Sequence, residues 1–174
     1  MIRFSSFFLL LFLVSCRAEK SKEASSKKWG TEHSVDFNQE LNAREEIKIK
    51  LFLAHHRELK MDTVVSSSGL RFMKYVHGSG EVLGKVGQEA VVRLKIELLD
   101  GRVCYETAEG EIERIVIAKS EKESGIHEAL QLMSKGDKVK LILPSYLGHG
   151  LLGDRMKIPP QSILYIDLQL IDLK

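Results

Sequence analysis

The sequence predicts an α+β domain, a twisted antiparallel sheet of about six strands wrapped on one short helix, with another helix in front. Three observations point there. Residues 88–99 alternate, with Ala90, Val92, Leu94, Ile96 and Leu98 on one face and Arg93, Lys95 and Glu97 on the other. Residues 138–173 hold two more alternating runs around a long loop, and two of the chain's three prolines meet there in Ile158-Pro159-Pro160. Between these blocks Ile126, Ala129, Leu130 and Met133 recur at helical spacing. A sheet with one apolar face must cover it, and a single helix is the natural cover.

The elements follow in order. Residues 35–59 read as a helix, assigned to a segment 35–62, in which Glu45 and Glu46 precede Lys48 and Lys50 at pair spacings. Leu41, Ile47, Leu51 and Ala54 gather on one side, with Phe52 and Leu53 broadening the stripe, although residues 47–51 also alternate like a strand. Such a helix either packs on its own domain or serves as an arm for a partner or a second copy, and both readings fit the same residues. Ser66-Ser67-Ser68-Gly69 is a break, and a domain over 66–174 is expected to start there. Residues 70–76 form a first strand and 88–99 a second, with a hairpin at Asp100-Gly101. Residues 102–106 return, and 113–118 make another strand. Ser124 is the expected N-cap of the short helix, and Gly136 its expected left-handed stop. Residues 139–143 and 163–173 complete the sheet.

The first residues read differently. Arg3 is followed by an apolar run, 7–14, too short to span a bilayer and of signal-peptide size. It ends in Leu13-Val14-Ser15-Cys16, which resembles a bacterial lipobox. A signal peptide over 1–15 and a lipidated Cys16 are therefore expected, the alternative being a plain secretory signal. Several acyl chains on Cys16 would make the membrane anchor stable. Residues 16–34 are rich in Lys, Glu and Ser, with Trp29 as their one large ring, and read as a tether.

Totals narrow the chemistry. With 26 Lys+Arg against 24 Asp+Glu, the chain gives no electrostatic case for nucleic acid. Cys16 and Cys104 are the only cysteines, so once Cys16 carries lipid no intrachain disulfide or cysteine zinc cluster follows. Cys104, in a strand-like run, reads as a small buried hydrophobe rather than a redox group. His55 and His56 are adjacent and cannot share a helix face, while His33, His77 and His127 lack ligand spacing, so no metal is expected. Residues 119–122 read as a solvated turn. No cofactor-binding or nucleophile motif is present.

The C-terminal block resembles the FKBP family of peptidyl-prolyl isomerases. The residues that carry the resemblance are Pro144, Ser145, Tyr146, Gly150, Ile158, Pro159, Pro160, Leu164, Ile166, Asp167 and Leu170, with the helix segment Gly125-Ile126-x-Glu128-Ala129-Leu130-x-x-Met133-x-x-Gly136. It covers about residues 70–174. Together with the lipobox, the charged helix and Val103-x-Tyr105, it is similar to FKBP-type lipoproteins associated with gliding motility. The resemblance implies a membrane-anchored isomerase of proline-containing clients in the bacterial envelope, at the outer membrane and facing the periplasm. It implies neither a covalent intermediate nor a cofactor. The X-Pro bond crosses a resonance barrier of about 18–20 kcal/mol, and a dry apolar pocket favours the less polar twisted imide.

The resemblance places the proline pocket at Leu94, Tyr105, Ile126, His149, Ile158 and Ile166. Several of these depart from the family pattern. Leu94 stands where the family has Tyr, Cys104-Tyr105 where it has Phe-Asp, Ile126 where it has Trp, His149 where it has Tyr, and Ile166 where it has Phe. Two expectations follow: an isomerase with a largely aliphatic pocket, or a chaperone or assembly module with little catalysis. Taken singly, Leu94, Ile126 and Ile166 also suit ordinary core positions, and His149 a solvated loop.

Overall fold

The structure, a computed structural model, describes residues 31–63 and 67–174. The expected signal peptide, Cys16 and most of the expected tether lie outside the described residues. The elements are helix α1 (Thr31–His55), β1 (Asp62–Thr63), β2 (Arg71–Val76), β3 (Glu89–Leu98), β4 (Val103–Glu106), β5 (Glu113–Val116), helix α2 (Ser124–Leu130), β6 (Lys138–Leu143), a 3-10 turn (Ser145–Leu147) and β7 (Leu164–Leu173). The six strands expected from alternation are β2 to β7. The short β1 pairs with Phe72 and Arg71 of β2, so the sheet begins ahead of the expected boundary at residue 66.

All pairings are antiparallel, in the order β1-β2-β6-β7-β3-β4. β5 pairs with residues 89–92 of β3, while β4 pairs with residues 95–97 of the same strand. The long β3 and β7 run side by side with Leu94 opposite Leu168 and Ile96 opposite Ile166. Their in-facing residues are buried, as the period of two demands, and α2 joins them in one apolar cluster through Ile126, Ala129 and Leu130. α2 lies close because Gly125 has no side chain. A Cβ there would meet Leu143 Cδ2 at 2.6 Å.

The ends of α2 differ from the expectation. Glu123, not Ser124, is the N-cap residue. Ser124 is already helical, and its hydroxyl donates to the Leu147 carbonyl (3.2 Å), so it is spent on the neighbouring 3-10 turn. Gly136 does have φ +89°, but the helix ends at Leu130. Gly136 instead shapes the turn into β6, its N–H donating to the Leu170 carbonyl at 2.8 Å. Asp137, 1% exposed, anchors that turn. It accepts from the Ser134 N–H (2.7 Å) and hydroxyl (3.1 Å), the Gly78 N–H (2.8 Å) and Lys74 Nζ (2.6 Å).

α1 starts at Thr31 rather than Val35 and stops at His55, short of residue 62. It packs on its own domain, against the sheet face opposite α2. Ile49 is buried with Ile142 and Ile163, and Phe52, Leu53, Leu99 and Tyr165 lean on that cluster. The expected stripe is therefore wrong in part, because Ile47 is 59% and Leu51 56% exposed, and Ala54 is exposed too. The buried side instead includes Glu45, whose Oε2 accepts the Ser145 N–H at 2.8 Å. Beside it Glu46 takes the Arg71 guanidinium at 2.7 and 2.8 Å. Burying Ile49 is worth about 2 kcal/mol, against roughly 0.5 kcal/mol for an exposed pair such as Glu40–Arg44. Apolar docking therefore decides which face turns inward.

Candidate functional site

A cavity of about 500 Å³ opens where the strand floor, the run into α2 and the loop after the 3-10 turn converge. Leu94 and Ile96 of β3 form the floor, and Tyr105 of β4 one wall. Gly148, His149, Asp154 and Met156 come from the long loop, and Glu121, Lys122 and Glu123 from the turn before α2, with Glu113 of β5 at the edge. Residues 119–122 are thus more than a solvated turn. Lys122 Nζ pairs with Glu113 at 2.7 Å, and Glu113 in turn accepts the Thr107 hydroxyl at 3.1 Å.

Of the six residues expected at a pocket, Leu94, Tyr105 and His149 line this cavity. Ile126, Ile158 and Ile166 do not. They are buried beneath it, in the same apolar cluster as Leu94. Isoleucine is shorter than the Trp and Phe that the resemblance places at 126 and 166, so these side chains end inside the core. Ile96 and Met156 supply apolar surface that sequence reasoning missed. Ile96 was readable from the β3 alternation, two residues past Leu94, whereas no local signal marks Met156.

Asp154 is the residue that organises the loop. Its Oδ1 accepts the N–H groups of Met156 and Ile158, each at 2.8 Å, and its Oδ2 accepts the Tyr105 hydroxyl. Its own N–H donates to the Ile158 carbonyl at 3.0 Å. Gly153 precedes it at φ +64°, and a Cβ there would lie 2.2 Å from that same carbonyl, so only glycine fits. Burial pushes the Asp154 carboxyl up, but the Tyr105 hydroxyl and the N–H groups of Met156, Ile158 and Lys157 outweigh it and bring it down to about 2. The same hydrogen bond, with burial second, raises the Tyr105 phenol. Lys157 Nζ sits 5.0 Å from the Tyr105 ring centre.

By the resemblance, position 105 lacks the carboxylate of the family pattern. The fold returns a carboxylate to that wall from the other side, with the loop supplying the acid and the strand the phenol. Cys104 is 2% exposed with its thiol pushed up by burial, and it packs as a small core residue. On the opposite wall Glu123, its side chain 6% exposed, accepts from His149 Nε2 at 3.0 Å. His149 is therefore paired rather than simply solvated. On α2 itself, buried His127 takes the Ala118 N–H on Nδ1 (3.0 Å) and faces the Ser120 carbonyl with Nε2 (3.0 Å). It fixes the turn that carries Glu121 and Lys122. Among the described residues no cluster of His, Cys, Asp and Glu could hold a metal ion.

This arrangement of sheet, covering helix and loop-capped cavity can be compared with known proteins. Residues 80–171 match the family described as FKBP-type peptidyl-prolyl cis-trans isomerase. The chain belongs to the FKBP-type peptidyl-prolyl cis-trans isomerase family. The macrophage infectivity potentiator of Trypanosoma cruzi is 32% identical over 125 residues, which are 72% of this chain and 63% of that protein. FkpA of Buchnera aphidicola is 32% identical over 129 residues, 74% of this chain and 50% of that one. The chain thus spans between half and somewhat under two thirds of the length of these relatives. The crystal structure of FkpA from Escherichia coli aligns with a TM-score of 0.64 at 28% identity, covering 81% of this chain and 64% of that one. Within the FKBP-type family fold, the cavity lies between the strand-and-helix body and the loop that ends in Ile158-Pro159-Pro160.

Proposed function

We propose that this chain is a peptidyl-prolyl cis-trans isomerase acting on proline-containing client polypeptides, anchored in the bacterial envelope through lipidated Cys16. The observation that carries the reading is the 500 Å³ cavity with an apolar floor of Leu94 and Ile96, walled by Tyr105 and Met156, in a chain of this family. A pyrrolidine ring buries its methylenes on that floor. As the imide twists it loses resonance and polarity, so a site with few fixed donors at its base binds the twisted form better than either planar isomer. Tyr105, its hydroxyl held by Asp154, offers a fixed ring face. The loop shields the bond from water while both isomers enter and leave.

A second reading rests on the rim. Leu151, Leu152 and Met156 are 48%, 64% and 82% exposed along the loop, an apolar lip suited to holding unfolded chains. On that reading the chain is a chaperone or assembly module with weak catalysis. The lipobox, the charged α1 and Val103-x-Tyr105 support a closer kinship with FKBP-type lipoproteins of gliding motility, facing the periplasm from the outer membrane. The outward Ile47 and Leu51 of α1 support a helix-mediated partner or dimer.

Refolding of a proline-limited substrate separates the two readings. Uncatalysed, such a phase lasts tens to hundreds of seconds. The full chain is expected to shorten it in proportion to its concentration, and binding without acceleration would favour the holding module. A Cys16→Ala variant is expected to remain unprocessed and to lose incorporated fatty acid. Unchanged labelling would mean that Cys16 does not carry the lipid.

A further inference from the structure

Three of the carboxylates around the cavity are accounted for and one is not. Asp154 has both oxygens occupied, Glu113 is bound by Lys122 and Thr107, and Glu121 is exposed at the rim. Glu123 lines the same cavity with its side chain 94% buried. Its Oε1 meets His149, while its Oε2, also buried, has no hydrogen-bond partner. A buried carboxylate oxygen without a donor is costly, and a native fold that keeps one has a use for it or a missing partner. With Glu113, Glu121, Glu123 and Asp154 against Lys122 and a histidine, the field at the cavity favours a cation.

We propose that Glu123 is a specificity residue, which receives the positively charged side chain of a lysine or arginine next to the client's proline. This rests on the pocket reading given above. His149 is the movable part. It stands on the loop, 31% exposed, and is bound to Glu123 through one ring nitrogen. As the client's proline settles on Leu94 and Ile96, the flanking ammonium or guanidinium displaces that ring and donates to the free oxygen. Glu121 at the rim attracts the same charge from solvent. A client with an acidic residue in that place meets Glu123 and Glu121 as like charges and is rejected.

The test uses the full chain and three peptides that differ only before proline, carrying Lys, Leu or Glu. Binding is read by fluorescence anisotropy and catalysis by cis-trans exchange on the same panel. Lys over Glu is expected to be favoured by about tenfold in both, and the ratio should shrink as ionic strength rises roughly tenfold. In Glu123→Gln the Lys-to-Glu ratio should fall toward unity. A native ratio near one, or a ratio that survives Glu123→Gln, overturns the proposal. Should Glu123→Gln fold poorly, His149→Ala decides instead: without the ring that the incoming cation must displace, the Lys-to-Glu ratio should rise, and an unchanged or lower ratio overturns the proposal. Charge-ranked binding without faster exchange would overturn the isomerase reading and leave this inference standing. Exchange accelerated equally for all three would do the reverse.

Discussion

Asp154→Ala is expected to lower kcat/KM for a prolyl peptide by roughly ten- to a hundredfold while moving the unfolding midpoint little. The side chain accepts two backbone N–H groups of its own loop and the Tyr105 hydroxyl from β4. Hydrogen bonds to a charged group are worth about 1.5–3 kcal/mol each when sheltered. These are partly open to water, so a combined loss of about 1.4–2.8 kcal/mol in loop order is the reasonable scale, which is one to two powers of ten in rate. The loss falls on the loop because the main apolar cluster lies beneath it. Asp154→Asn keeps one acceptor oxygen for the two N–H groups, and Tyr105→Phe removes only the cross-link, so both should cost less than the alanine. Steady-state kinetics on the three variants, with thermal unfolding alongside, checks the order. Native kcat/KM in Asp154→Ala would mean that this loop does not shape the reacting site.

The second large effect is on stability. Asp137→Ala is expected to cost about 3–5 kcal/mol, the range for breaking a buried charged pair and stranding its partners. The carboxylate closes four contacts between the turn into β6, the Gly78 loop and Lys74 of β2. Next to it the Asp137 carbonyl accepts the Leu170 N–H at 3.0 Å, so the turn is also tied to β7. Burial pushes this carboxyl up, but Lys74 and the Ser134 and Gly78 groups prevail and lower it from 3.8 to about 2. A carboxyl lowered on folding stabilises the fold at pH values above its unfolded pKa. That contribution is lost as pH falls from about 4 toward about 2, and it is flat above that window. Urea unfolding at a series of pH values should show a steep acid limb for the native chain and a shallower one for Asp137→Asn. Identical limbs would show that Asp137 carries no such linkage.

What could be read from the sequence was periodic or local. The alternation of β3 and β7 is visible because each has one face on the main core, and the α2 positions Ile126, Ala129 and Leu130 are all buried. The α1 face was misread for a physical reason. Hydropathy favours Ile47 and Leu51, but the helix docks through Ile49, whose apolar partners Ile142 and Ile163 lie far along the chain, with Ser145 and Arg71 receiving Glu45 and Glu46 beside it. Asp154 and Glu123 were missed in the same way. Each is a polar residue in a turn whose role exists only once Tyr105 or His149 is brought beside it. Ser124 looked like a cap because its type suits one, yet its hydroxyl had a better use at the Leu147 carbonyl.

In the proposed reaction a prolyl ring sits on Leu94 and Ile96 while its imide turns. Exchange spectroscopy on a labelled proline peptide, with methyl shifts of the full chain recorded in the same titration, tests it directly. Cis-trans exchange should quicken with added protein, and the shifts should concentrate at Leu94, Ile96 and Met156. Exchange that stays at the uncatalysed rate, with shifts gathered on the outer sheet face around Tyr75 and Asp167, would contradict it.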